Sequence, residues 1–249
     1  MTTSVRRLTM IVTYDGSAFF GFQVQTGVPT IQGTLERALE LVLGEKVRVH
    51  GSGRTDTGVH ALGQVVLIQT ACPIPVDKLI VALNGVLPPA IRIRRIEPAA
   101  PGFHPRFSAR AKHYRYLFQE VAERSPFLER FVCQVEGPPL DREKMAQGAA
   151  CFLGEHDFSA FTRSPASKEN PVRTILESRL TPEGPALAFD VIGTGFLHNM
   201  VRNMAKALLL IGRHEMDPHE ILELYRNQDR RRLGSPAPAA GLYLMRVMY

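Results

Sequence analysis

The sequence of 249 residues contains no tryptophan and only three cysteines. Cys72, Cys133 and Cys151 are widely separated and form no C-x-x-C pair, which argues against a disulfide framework and against a zinc site. No run approaches the roughly 20 apolar residues that a membrane span requires. The N-terminal run RRLTMIVTYDG alternates and ends in Asp-Gly. It therefore predicts a strand and not a signal peptide, and we expect a cytoplasmic protein with no membrane segment.

Lysine is also scarce, since arginine supplies 24 of the 30 basic residues and lysine only 6. The formal net charge is +6 and the isoelectric point is close to 9.5. Arginine makes forked contacts to phosphate and stacks on bases, so this excess is compatible with a polyanionic partner. Many basic proteins never bind nucleic acid, and an arginine bias also follows from genome composition. Charge alone leaves nucleic-acid binding open.

Hydrophobic spacing predicts a mixed fold. Ile31, Leu35 and Leu39 recur at helical spacing within 30–43, and Gly44 can end that helix. Strands are predicted over 5–14, 47–50, 64–69, 91–96, 111–119, 175–181, 186–192 and 242–249, and further helices over 76–86, 141–152, 196–211 and 218–227. Because the strands do not alternate regularly with helices, we expect an α+β fold with a mainly antiparallel central sheet flanked by helices.

Two lobes are expected. Pro138 and Pro139 stand near the middle of the chain and predict a boundary between an N-terminal lobe, 1–137, and a C-terminal lobe, 138–249. The segments VRVHGSGRTD and AFDVIGTGFLHN both run from an extended stretch into G-[ST]-G. This internal echo suggests two pseudo-symmetric lobes around a basic cleft, with both loops at that cleft.

The run GSGRTDTGVHA, residues 51–61, carries the strongest chemical signal. Its glycines permit positive φ and a close approach of the backbone to a ligand. Asp56 could serve as a nucleophile, as a cap of a phosphate loop, as half of a protease dyad, or only as a turn former. The D-T-G triplet occurs once, so a dyad would require a dimer, and Arg54 favours an ionised carboxylate over a shared proton.

Longer motifs resemble one known family. GSGRTDTGVHALGQV closely resembles the G-x-G-R-T-D-A-G-V-H signature of the TruA family of tRNA pseudouridine synthases. Further segments resemble that family in the same order along nearly the whole chain: YDGSAFFGFQVQ, TIQGTLERAL, FHPRFSARAKHYRY, GEHDFSAF, NPVRTI, GFLHNMVRNM and GLYLMRVMY. The resemblance implies a pseudouridine synthase fold and an isomerase of uridines 38 to 40 in the tRNA anticodon arm.

The resemblance also implies roles for individual residues. Asp56 occupies the position of the catalytic aspartate, and Arg54 that of an arginine which pushes the target base out of its stack. Tyr114 matches a tyrosine that packs against the target uridine, and Arg202 matches a basic residue paired with the catalytic carboxylate. The tRNA-contacting residues that it implies are Phe103, His104, Pro105, Arg106, Phe107, Ser167 and Lys168.

The residue types suit this chemistry. An ionised aspartate can act on the sugar or the base, and an arginine can fill the gap that an extruded base leaves. Attack at C1′, attack at C6 and a glycal route all stay open. The reaction requires no cofactor or metal, so we expect neither, and the resemblance implies a homodimer that binds tRNA. The rival from another class is a tRNA-binding or chaperone protein that has lost turnover.

Several positions depart from the family pattern. Thr57 replaces the usual alanine, Phe22 the usual tryptophan, and Pro105 a small residue. Asn199 interrupts the expected H-M-V-R-N, and TRSPASKENPVRT lacks the family's C-Q-S-[KR] wording around Ser167 and Lys168. These departures concern details of the substrate, whereas the catalytic positions keep the family's residue types.

Overall fold

The structure is a computed structural model that describes residues 5–162 and 170–249. It divides into two compact units, Met1–Arg110 with Leu244–Tyr249, and Ala111–Tyr243. The lobe boundary predicted at 137/138 therefore falls inside the second unit. Backbone pairing explains the difference, because the strands Ala111–Glu120 and Cys133–Val135 both belong to the sheet of the second unit.

The described residues of the first unit form β-strands and two α-helices. Its elements are β1 (Arg6–Tyr14), α1 (Ile31–Leu43), β2 (His50–Gly51), β3 (His60–Thr70), α2 (Val76–Val86), β4 (Ile91–Pro98) and the larger part of β10 (Leu242–Met248). The order is β4-β1-β3-β10, with β2 also paired to β3, and β1 pairs antiparallel with both β3 and β4. In β1, every second residue from Leu8 to Tyr14 is buried, which places one face of that strand in the core.

Local sequence signals define α1. The Thr30 side chain accepts a hydrogen bond from the Gly33 N–H at the N-terminus, and Gly44 ends the helix with φ 72°. Ile31, Leu35 and Leu39 form its buried face. The prediction for this helix is confirmed to within one residue at its start.

The described residues of the second unit form further β-strands and three α-helices. Its elements are β5 (Ala111–Glu120), β6 (Cys133–Val135), α3 (Arg142–Ala150), β7 (Gly154–Asp157), β8 (Val172–Glu183), β9 (Ala186–Gly193), α4 (Met200–Gly212) and α5 (Glu220–Asn227). Short 3₁₀ turns occupy Ser159–Phe161, Arg230–Leu233 and Ala239–Gly241. The order β5-β9-β8-β7 is antiparallel throughout, and only β6 runs parallel to its neighbour β5 among these described strands. The α+β class with a mainly antiparallel sheet is confirmed.

Some element bounds differ from the predicted ones. The helix predicted from Phe196 begins at Met200, because Asn199 adopts φ 60° and cannot continue a helical turn. The strand predicted over 47–50 is observed as the two residues His50–Gly51, which overlap the predicted range only at His50. The two G-[ST]-G segments also lead to different elements: the first precedes β3, and the second, which starts at Gly193, precedes α4. The predicted pseudo-symmetry and the basic cleft stay predictions.

No helix among the described residues is both long enough and apolar enough to cross a membrane.

A close backbone contact fixes the loop between β2 and β3. A Cβ added at Gly16 would lie 1.9 Å from the carbonyl oxygen of Val59 and 2.6 Å from its carbonyl carbon. Gly21 has φ 82°, and a Cβ there would lie 2.7 Å from the Thr55 carbonyl oxygen. The segment after β1 and the loop before β3 are therefore packed main chain against main chain, which only glycine permits.

We expect Gly16→Ala to destabilise the protein by roughly 3 kcal/mol, because the rigid Val59 carbonyl must move. Gly85→Ala is the matched control: Gly85 is exposed near the end of α2, with nothing within 4 Å of an added Cβ. That change should leave stability unchanged or raise it by up to about 1 kcal/mol. Urea unfolding followed by circular dichroism measures both. Equal stability of the two variants would contradict the close contact.

A buried carboxylate joins β5 to β9 in the second unit. Asp190 is 2% exposed, and its carboxylate accepts hydrogen bonds from His113 Nε2 at 2.6 Å and from Arg115 Nε at 2.9 Å. Burial alone would raise the pKa of this carboxyl. The hydrogen bonds from His113 and Arg115, together with their charges, outweigh burial and lower the pKa to about 2.

Because the folded-state pKa of Asp190 is depressed, its contribution to stability is present above the ordinary carboxyl pKa and is lost as the pH falls towards 2. Asp190→Asn should cost about 2–3 kcal/mol at pH 7, and that cost should shrink below about pH 4. Asp229→Asn is the control, since Asp229 forms an exposed pair with Arg231 and should matter little. Urea unfolding from pH 7 downwards tests this, and a cost independent of pH would refute the assignment.

Candidate active site

The Asp56 loop runs from Ser52 to Val59, between β2 and β3. Thr55 is buried, Asp56 is half-exposed and Arg54 is exposed. The Asp56 carbonyl accepts a hydrogen bond from the Val59 N–H at 3.1 Å, and Gly58 has φ 78°. The backbone carbonyl of Asp56 therefore takes part in a turn, which was one of the alternatives that the sequence left open for this residue.

A buried hydrogen-bond network holds this loop from below. The hydroxyls of Tyr14 and Thr55 lie 2.8 Å apart, and Gln64 Nε2 donates to the Gly53 carbonyl at 3.0 Å. Ser52 Oγ donates to Gln64 Oε1 at 2.6 Å. Burial raises the pKa of Tyr14 to about 12 against the opposing effect of its hydrogen bonds with Thr55 and Gln64, so the phenol stays neutral. The network fixes the residue before Asp56 and the residue before Arg54.

Main-chain contacts complete the support. The Phe22 N–H donates to the Thr55 carbonyl at 3.0 Å, and a Cβ at Gly51 would collide with the Phe22 ring. His60 is 2% exposed, its Nδ1 accepts from the Gly16 N–H at 3.2 Å, and it lies 3.3 Å from Asp15 Oδ1. The buried His60 thus supports the turn that follows β1.

Arg54 is oriented by a chain of polar side chains. Its Nε donates to Gln23 Oε1 at 3.1 Å, and Gln23 Nε2 donates to Gln32 Oε1 at 2.6 Å. Gln32 is 2% exposed and donates in turn to Glu36 Oε1 and to the Val49 carbonyl. An exposed arginine is thereby tied through one nitrogen to a rigid buried amide. This restricts the guanidinium before any ligand arrives.

The segment Phe103–Phe107 belongs to the same unit. Phe103 packs edge-on against Tyr249 with ring centroids 4.8 Å apart, and the Pro105 carbonyl accepts from the Tyr249 hydroxyl at 2.9 Å. Pro105 is buried, whereas Arg106 and Phe107 are exposed, Phe107 at 78% of its surface. Of the five predicted RNA-contacting residues in this segment, the last two are therefore the best placed to touch a ligand directly.

Tyr114 and Arg202 lie in the second unit. Tyr114, on β5, is 8% exposed and meets Phe196 edge-on at 5.0 Å. Arg202 is half-buried in the first turn of α4, where the helix dipole disfavours a cation. Its Nε donates to the Ala237 carbonyl at 2.8 Å and its terminal nitrogen to Asn199 Oδ1 at 3.0 Å. Arg202 is therefore an anchored side chain and not a mobile surface cation.

Two of the predicted residues, Ser167 and Lys168, lie outside the described residues. Within 5–162 and 170–249, no group of three or more His, Cys, Asp or Glu side chains is arranged to hold a metal ion.

The supporting residues that sequence reasoning missed are Tyr14, Gln23, Gln32 and Gln64. All four stand within the quoted motif runs, but spacing along the sequence does not reveal which hydrogen-bond partners they find in the folded chain.

Comparison with known proteins agrees with these motifs. The tRNA pseudouridine synthase A of Brevibacillus brevis is 40% identical to this chain over 98% of this chain and 100% of its own length. The tRNA pseudouridine synthase A of Geobacillus kaustophilus is 42% identical over 98% of this chain and 95% of its own. A solved chain of an archaeal box H/ACA sRNP Nop10–Cbf5 complex covers 94% of this chain and 59% of its own at 11% identity, with a TM-score of 0.36 that adds nothing to the assignment.

A family model described as tRNA pseudouridine synthase matches residues 10–108 and 149–249, which include the Asp56 loop, Phe103–Phe107 and the first turn of α4. The match and the two bacterial relatives agree over nearly the whole chain. The chain therefore belongs to the tRNA pseudouridine synthase family, a family of isomerases.

Proposed function

We propose that the protein converts uridine to pseudouridine at positions 38 to 40 of the tRNA anticodon stem-loop, with Asp56 as the catalytic nucleophile. The observation that carries this proposal is the Asp56 loop: a half-exposed carboxylate follows a buried residue that is locked by Tyr14 and by the Phe22 backbone. A nucleophile on such a support keeps its position while the base turns. Membership of the family gives that geometry its chemical meaning.

The reaction exchanges one glycosidic bond for another. The bond from N1 to C1′ breaks, the uracil turns, and a bond from C5 to C1′ forms while C5 loses a proton and N1 gains one. Atoms and electrons balance within the nucleotide, so neither an oxidant nor a reductant enters. The Asp56 carboxylate can add at C1′, add at C6, or begin elimination towards a glycal, and in each route it must be ionised.

The other predicted residues then take complementary roles. Arg54, held by Gln23, fills the gap in the RNA stack when the target nucleotide is extruded. Tyr114 packs against the uracil, and the anchored Arg202 supplies positive charge to the reacting groups. The tRNA contacts include Phe103, His104, Pro105, Arg106, Phe107, Ser167 and Lys168. The active form is a cytoplasmic homodimer.

Asp56→Asn should abolish isomerisation while tRNA binding persists. We expect the rate to fall at least about 10³-fold, because the amide is neither a nucleophile nor a base. The dissociation constant should change by less than about threefold, since binding depends on phosphate and stacking contacts. Tritium release from tRNA labelled at uridine C5 measures the rate, and carbodiimide-primer extension maps the product.

Asp77→Asn is the matched control, because Asp77 is an exposed aspartate of the same unit, in the first turn of α2. It should leave the rate unchanged. Substantial activity in Asp56→Asn would sink the catalytic role. A wild-type protein that binds tRNA but leaves no primer-extension stop in the anticodon arm would favour the binding-only alternative.

Arg54→Ala should slow isomerisation of a paired target uridine by about 10–100-fold, because extrusion loses the side chain that replaces the base. Gln23→Ala should act in the same direction but more weakly, since it removes the partner of the Arg54 Nε. Arg37→Ala, an exposed arginine on α1, controls for lost charge. Single-turnover rates on tRNA transcripts with a paired and with a mispaired target separate the effects. Mispairing should recover most of the Arg54→Ala defect, and an undiminished defect would count against extrusion.

A further inference from the structure

His104 closes the loop that ends in Arg106 and Phe107. Its Nδ1 accepts two backbone hydrogen bonds, from the Arg106 N–H at 3.1 Å and from the Phe107 N–H at 3.3 Å. The backbone N–H of His104 donates to Ser108 Oγ at 3.0 Å, and the backbone carbonyl of His104 accepts from the Ser108 N–H at 2.9 Å. The loop is thus wound around one imidazole, which satisfies its central backbone donors.

This loop presents an exposed pair of side chains. Phe107 is 78% exposed, and the Arg106 guanidinium carbon lies 5.8 Å from the centre of its ring. The His104 ring lies 4.4 Å from the same ring, tilted by 32°. An exposed aromatic ring beside an arginine offers RNA both a stacking surface and a phosphate contact. The orientation of both side chains depends on the backbone that His104 holds.

We propose that His104 is a positioning residue, which promotes tRNA binding by holding Arg106 and Phe107 in place and does so only while its imidazole is neutral. The inference rests on the proposed function, because it requires tRNA as the ligand. A ring nitrogen that accepts a hydrogen bond carries no proton, so the two bonds at Nδ1 require the neutral form with its proton on Nε2. If Nδ1 were protonated, its N–H would face the N–H groups of Arg106 and Phe107, both hydrogen bonds would be lost, and the loop would open.

Neighbouring groups contact the start and the tip of the loop. Arg7 donates to the Phe103 carbonyl, and the Arg106 guanidinium lies over the Phe107 ring. His50, on β2, faces the His104 ring at 6.3 Å, and the Tyr249 hydroxyl donates to the Pro105 carbonyl. The start of the loop is therefore anchored at every pH, whereas its tip depends on Nδ1.

Two substitutions of His104 test whether the hydrogen-bond acceptor at the place of Nδ1 matters, or the imidazole ring as a whole. In His104→Asn, the side-chain oxygen can occupy the place of Nδ1 and accept the same two N–H groups without ever being protonated in this pH range. In His104→Gln, the longer side chain carries its oxygen near the place of Nε2 and leaves those donors without their acceptor. Phe107→Ala removes the exposed ring itself and shows the full cost of losing it.

The experiment measures the dissociation constant of an unmodified tRNA transcript by filter binding at pH 8.0 and pH 5.5, at constant ionic strength. Histidine is the side chain whose charge ordinarily changes over this pH range, which is why these two pH values are compared. We expect the wild-type constant to rise about tenfold at pH 5.5, as expected for the loss of two backbone hydrogen bonds. His104→Asn should have the same dissociation constant at both pH values and should bind more tightly than His104→Gln. At both pH values, His104→Gln and Phe107→Ala should bind about tenfold more weakly than wild type does at pH 8.0.

The control His50→Asn should keep the wild-type pH dependence, because His50 bonds to neither of the two N–H groups. Circular dichroism melts at both pH values confirm that each variant is folded. A rise in His104→Asn equal to that of wild type, or binding by that variant no tighter than by His104→Gln at pH 8.0, would overturn the positioning role. Failure of wild type to bind tRNA at pH 8.0 would instead count against the proposed function.

Discussion

The contact between two stretches of backbone, after β1 and before β3, determines where Asp56 lies. Neither Gly16 nor Gly21 could carry a side chain without meeting the Val59 or Thr55 carbonyl group. Because main chain packs on main chain, the Phe22 N–H can bond to the Thr55 carbonyl, and Tyr14 reaches the Thr55 hydroxyl. The Asp56 carboxylate inherits a fixed position from contacts that it does not make itself. This is pre-organisation in the sense that catalysis requires, since little ordering is left for the moment of reaction.

Sequence reasoning predicted best the features whose causes are local. The helix α1 followed from an apolar face, a threonine cap and a glycine stop, all within fifteen residues of each other. The start of α4 was missed because the positive φ of Asn199 is not set by its neighbours' propensities. The compact-unit boundary lies earlier than the two prolines suggested, since β6 pairs with β5 through a contact between strands that no local signal reveals. Long-range pairing decides such boundaries, and composition does not.

The candidate site shows the same division. Resemblance identified Asp56, Arg54 and Phe103–Phe107 as positions of interest, but it could not show how they are held. Tyr14 and Thr55 are 41 residues apart in sequence, and Gln23 and Arg54 are 31 apart. Hydrogen bonds over such distances appear only when the chain is folded. Resemblance also placed His104 among the RNA contacts, but it could not show that the His104 ring accepts two hydrogen bonds from the backbone of its own loop.

Some of the many arginines bond to other groups of the protein, whereas others are exposed and could contact a ligand. Arg115 is bound to the buried Asp190 and to Glu183, and Arg202 is tied to the Ala237 carbonyl. The guanidinium of Arg115 is neutralised inside the second unit, so the number of arginines, and not the net charge, overstates how many cations are free to meet RNA. Arg106 differs from them, because it is exposed and lies over an exposed phenyl ring. For the proposed tRNA contact, the pairing of a cation with an uncovered aromatic ring is therefore a more specific guide than net charge.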